Sequence, residues 1–94
     1  MSKETRTIHK YVISQHGETT ITLPWHSEVI HFAEMAEGEL CIWLEAPVKT
    51  NFARGAVDHT YMIVGIGWEY DDDWNPQKTV VDSDGFVWHL LLKD

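Results

Sequence analysis

The sequence predicts an all-β, mostly antiparallel fold: a small sandwich or open barrel of about seven short strands. Three observations carry that reading. Short runs rich in β-branched and aromatic residues recur along the chain, as in Thr19-Thr20-Ile21-Thr22-Leu23 and Leu40-Cys41-Ile42-Trp43-Leu44. Turn-forming Gly, Pro, Asp and Ser punctuate those runs at spacings near ten residues. The last run is the clearest: Asp82-Ser83-Asp84-Gly85 leads straight into Phe86-Val87-Trp88-His89-Leu90-Leu91-Leu92, apolar throughout except for His89.

The elements follow in order. Residues 1–6 are polar and read as a frayed end. Thr7–Ser14 is a first strand of mixed pattern, and Gln15-His16-Gly17-Glu18 a turn. Thr19–Leu23 is a second strand, expected to return as a hairpin on the first. Pro24 ends it, because proline cannot donate to a ladder. Glu28–Met35 follows as a third strand, with Ile30 and Phe32 on one face and Val29, His31 and Ala33 on the other. A helix over 27–36 stays open, since Ala, Glu and Met are good helix formers, although the Glu37-Gly38 turn and the β-rich Leu40–Leu44 favour a hairpin.

Pro47 closes the fourth strand. Residues 47–58 then form a long loop without apolar period, the kind that often serves binding. Thr60–Ile66 is a fifth strand, apolar enough to be buried on both sides; Gly65 and Gly67 near its end point to a bulge or a close backbone approach. Trp68 to Pro76 is a loop of acids bracketed by aromatics, Lys78–Val81 a sixth strand, and Phe86–Leu92 the last and central one. Pairing of consecutive strands is the simplest topology.

Ninety-four residues make a single domain, 1–94. Seven Lys and Arg against fifteen Asp and Glu give a formal charge of -8. Binding to nucleic acid or an anionic membrane draws its affinity from neutralising phosphates, so this balance disfavours both. No apolar run reaches the roughly 20 residues of a membrane span, and the first residues lack the apolar core of a signal peptide. Cys41 is the only cysteine, so no intramolecular disulfide or cysteine-based zinc site can form; within Leu40-Cys41-Ile42 it reads as a buried thiol. The expected location is a reducing cytoplasm.

The residues that could carry chemistry are few. Asp58-His59 is the one place where a carboxylate adjoins an imidazole, and no His spacing suits a metal. His89, between Trp88 and Leu90 on a strand, reads as a hydrogen-bonded structural histidine. Asp71-Asp72-Asp73 lacks the alternating ligands and closing Glu of a calcium loop. The serines sit in turn contexts without a nucleophile elbow, and Gly65-Ile66-Gly67 is not a phosphate loop. No catalytic residue, metal or cofactor is expected.

The stronger candidates are contacts. Five Trp in a chain this short exceed what its core requires. Trp68, Tyr70 and Trp74 around Asp71, Asp72 and Asp73 resemble aromatic anchors within a polar ring. Lys49 and Arg54 in the long loop would be the phosphate partners of a nucleotide signal, with His59 beside them.

Several stretches together resemble one family: Thr7-Ile8-His9-Lys10-Tyr11, Leu23-Pro24, Gly38-Glu39-Leu40-Cys41-Ile42-Trp43 and Gly85-Phe86-Val87-Trp88-His89-Leu90. It is an uncharacterised family of small proteins found in bacteriophages and bacterial genomes. The likeness spans nearly the whole chain. Where that family carries Gly-Thr-Gly-His after the fifth strand, this chain has Gly65-Ile66-Gly67-Trp68. The resemblance implies a phage or prophage origin, hence the host cytoplasm, and supplies no activity. The functional expectation is a non-enzymatic protein that binds a host component as inhibitor or sequestering protein, in the manner of anti-defence proteins, and that self-associates through exposed sheet edges. Capture of a small nucleotide signal and acidic mimicry of nucleic acid are the alternatives.

Overall fold

The β-branched and aromatic runs become strands because each gains a half-buried, pleated surface. In the computed structural model, which describes residues 5–24, 27–48 and 56–93, there are seven. They are β1 (Arg6–Ile13), β2 (Glu18–Pro24), β3 (Glu28–Glu34), β4 (Leu40–Pro47), β5 (Ala56–Gly65), β6 (Trp74–Val81) and β7 (Val87–Lys93). All pairings are antiparallel. One sheet has the order β1-β4-β3 and the other β2-β5-β7-β6. The fold is therefore a small sandwich and not a closed barrel.

The core lies between the sheets. Ile13, Ile42 and Leu44 of the first sheet meet Leu23, Ile63 and Leu90 of the second. Each buried Leu or Ile contributes about 1.5–3 kcal/mol relative to exposure. A second cluster of Val64, Trp74 and Leu91 sits on the other face of the four-stranded sheet. Leu90 and Leu91 are successive residues, so they point to opposite faces, and both are fully buried. Apolar cover on both faces is why β7 is an inner strand, between β5 and β6.

Several expectations need correction. The first two strands are not a hairpin: β1 pairs with β4, and β2 with β5. Tyr11 and Ile13 of β1 and Ile21 and Leu23 of β2 cover the same core from opposite sheets, which a hairpin within one sheet would not allow. Gly17, at φ 84°, helps turn the chain from one sheet to the other. Pairing of neighbours in sequence holds only for β3 with β4 and β6 with β7. The third strand does form as expected, over residues 28–34 and not as the helical alternative, followed by a single 3₁₀ turn at Ala36–Gly38. The expected faces of that strand fail at a bulge between Val29 and His31. With the alternation interrupted, Val29 and Phe32 both pack on the core while Ile30 is exposed.

Two strands begin earlier than the apolar pattern indicates. β5 starts at Ala56, and its polar first half pairs with β2, where Thr22 Oγ1 donates to Asp58 Oδ1 at 2.7 Å. β6 starts at Trp74 and includes Pro76. Proline is tolerated there because β6 is an edge strand and carries a bulge between Pro76 and Lys78.

Two single-residue readings hold, for Cys41 and His89. Cys41 is buried, and that burial pushes its thiol up from the usual value. His89 Nδ1 shares a hydrogen bond of 2.9 Å with Thr79 Oγ1 on the neighbouring strand. Tyr61 is buried in the core, and desolvation pushes its phenol up to about 12 from 10.0. Because the folded value is raised, this contribution to stability is complete below pH 10 and is lost as pH rises through about 12. Alkaline unfolding followed by tyrosinate absorbance should show one of the three tyrosines ionising only as the fold opens, and Tyr61→Phe should flatten the pH dependence in that window. Simultaneous ionisation of all three near 10 in the folded protein would refute this.

Candidate binding groove

The site is built where β5 ends. Gly65 pairs with Trp88 of β7, and Gly67 takes φ 81° to turn the chain back. Trp68 N then donates to Gly65 O at 3.2 Å, and the Trp68 indole folds over Gly65. A Cβ at position 65 would lie 3.0 Å from Trp68 Cε2 and 3.1 Å from Nε1, so any other residue there requires the ring to shift. The paired glycines thus serve a close side-chain approach. Trp68 meets Trp88 edge to face, with centroids 5.9 Å apart at 88°, an arrangement favoured by the quadrupoles of the rings.

The opposite wall comes from the last turn. Trp88 Nε1 donates to Asp82 Oδ2 at 2.9 Å, while Asp82 Oδ1 accepts from the backbone N–H of Asp84 and Phe86, also at 2.9 Å. Asp82 N donates to Phe86 O at 2.8 Å. These bonds hold Phe86 beside Trp88 and leave its ring in solvent. Gly65, Ile66, Trp68, Phe86, Val87 and Trp88 enclose an open groove of about 370 Å³. Ile66 is 71% exposed, Phe86 63% and Trp68 56%. Three large apolar side chains presented together are unusual on a small soluble surface.

The Trp88 indole bond, with the Phe86, Asp84 and Gly85 backbone N–H groups behind it, holds the Asp82 carboxyl below its usual 3.8; partial desolvation opposes them more weakly. A depressed folded value means that the stabilisation is present above pH 3.8 and is lost as pH falls through the folded value. Asp82→Asn should be less stable than the wild type at neutral pH, with the difference shrinking under acid. Melting curves across pH check this; a difference that stays constant to low pH would refute it.

The expected contact residues are distributed differently. Trp68 and Tyr70 are exposed, and Asp71, Asp72 and Asp73 are solvated. Trp74 is not an exposed anchor: it is 7% exposed, packs with Val64 and Leu91, and has Lys93 Nζ 5.6 Å from its ring centroid. β5 and β6 both run antiparallel to β7 and so parallel to each other; residues 66–73 therefore carry the chain from the Gly65 end toward the Trp74 end. Glu69 adjoins Trp68 at the groove, whereas Asp71–Asp73 lie farther along. Lys49 and Arg54 lie outside the described residues. Asp58 and His59 do not form a joint constellation, since neighbours on a strand face opposite ways. Asp58 faces outward to Thr22, while His59 Nε2 is buried without a hydrogen-bond partner and desolvation lowers its pKa against the pull of Asp58. Six residues of strand, roughly 20 Å, separate His59 from Gly65.

The sequence reading missed Ile66, Phe86, Val87 and Trp88 as groove residues. The signal was the Gly65/Gly67 pair, which marked a close approach without naming the ring that makes it. Among the described residues, no group of three or more His, Cys, Asp or Glu side chains is placed to hold a metal, and no helix is long and apolar enough to cross a membrane.

Fold and groove together define a small antiparallel β-sandwich with an aromatic surface groove. Residues 4–94 match the family model described as Domain of unknown function (DUF7352), and the chain belongs to that family. No curated protein and no solved structure matches it.

Proposed function

We propose that this is a non-enzymatic binding protein of phage type that engages a host component, as an inhibitor or sequestering protein, through the groove between Trp68 and Phe86. The observation that carries this reading is the exposure of Ile66, Trp68 and Phe86 around one cavity. Aromatic side chains of this kind anchor protein interfaces because they bury large area at low conformational cost. Their positions are held by Gly65 and Asp82, so little further ordering is needed on binding.

Self-association would use another surface. β1 is an edge strand paired with β4 in unbroken register, and it leaves Ile8 and Val12 exposed. Phosphate ligands fit the groove poorly, because Glu69, Asp82 and Asp84 adjoin its walls.

Immobilised wild-type protein and Trp68→Ala are compared in capture from host lysate. The reading requires a component that the wild type retains and the variant releases. Equal retention by both, or none by either, overturns it.

A further inference from the structure

Resting on that binding reading, we infer that the groove receives an arginine side chain from a basic polypeptide segment. Two features converge on this occupant. The first is the ring arrangement. Trp68 and Trp88 stand perpendicular, Phe86 closes the far side, and more than half of Trp68 faces solvent. An open indole face attracts a cation through its quadrupole, and the planar, weakly hydrated guanidinium stacks on such a face better than an ammonium does.

The second feature is charge. The two loops that form the walls, residues 66–73 and 82–86, contain Glu69, Asp71, Asp72, Asp73, Asp82 and Asp84 and no Lys or Arg. Of these, Glu69, Asp82 and Asp84 adjoin the groove, while Asp71–Asp73 lie at the Trp74 end of the first loop. Trp74 is covered by a cation of this chain, Lys93; the loops around Trp68 supply none. Asp82 keeps its negative charge while it orients Trp88, so the field at the groove is negative whatever rotamers the exposed acids adopt. From the groove, Asp71–Asp73 continue as a solvated acidic track toward Trp74, which suits further basic residues of an extended segment.

An aliphatic anchor would fill the same volume without using the charge. A lysine would use the charge without stacking as well on the rings. Arginine uses both.

The test titrates the wild-type protein with three capped peptides of equal length: alternating Arg and Gly, alternating Lys and Gly, and the Arg peptide with its central Arg replaced by Leu. Tryptophan fluorescence and the Trp68 indole N–H resonance are followed. The Arg peptide should bind at least about threefold more tightly than either of the others, as expected of a cation–π contact. Its affinity should fall with added salt, and Trp68→Ala should weaken it about tenfold. Equal binding of the Arg and Lys peptides overturns the assignment, because charge alone would explain it. Tighter binding of the Leu-centred peptide also overturns it, while leaving the groove as an apolar docking site. An unmoved Trp68 resonance on Arg-peptide binding refutes the location without needing a variant.

Discussion

Leu90→Ala is expected to remove about 3–4 kcal/mol of folding stability. Leu90 is fully buried, on the core face of an inner strand, with β5 on one side and β6 on the other. Its side chain meets the first sheet across the sandwich, so truncation loses transfer free energy and leaves a cavity that hydrogen-bonded strands cannot close. A domain of this size has about 5–14 kcal/mol in total, so the variant should melt roughly 15–25 °C lower. Urea unfolding by circular dichroism measures the loss directly. Phe86→Ala serves as the comparison, because its exposed ring should cost under about 1 kcal/mol when removed. Similar losses for the two variants would mean that the core is not where these packing relations put it.

Gly65→Val is expected to abolish the groove while the sandwich stays folded. Position 65 does not have a positive φ, and a β-branched residue suits a strand, so the backbone tolerates the change. The obstacle is the indole. Even a single carbon there would stand 3.0 Å from Trp68, and Val adds two more. Trp68 lies in a loop and is partly in solvent, so it is the group that moves. The loss of its edge-to-face contact with Trp88 costs about 0.5–1.5 kcal/mol. Near-ultraviolet circular dichroism should lose the signal of the coupled indoles, and groove ligands should bind at least about tenfold more weakly, since their main wall is gone. Retained binding together with an unchanged aromatic spectrum would refute the role assigned to Gly65.

The two substitutions separate what the chain states locally from what its packing decides. Local patterning was sufficient for the strands: β-branched runs between turn residues identify all seven, because side-chain shape and turn chemistry act within a few residues. The burial of Cys41, the hydrogen-bonded role of His89 and the inner position of β7 were legible for the same reason. Each depends on an apolar neighbourhood visible in the run itself.

Pairing was not legible. Nothing within Thr7–Leu23 distinguishes a hairpin from two strands that cover one core from opposite sheets, since both need the same alternation. The bulge at Val29–His31 and the early start of β6 depend on the register with the next strand, which the run itself does not display. The groove follows the same rule. Trp68 is legible as a spare aromatic and Gly65 as a close approach. Only the insertion of β7 between β5 and β6 brings Trp88 and Phe86 beside them, while the same packing turns Trp74 inward and leaves His59 in the other half of β5 from the groove. The sequence by itself determined an acidic, all-β protein with aromatic side chains to spare. Tertiary structure decided which of them face solvent together, because that depends on strand order, and strand order is set by long-range burial.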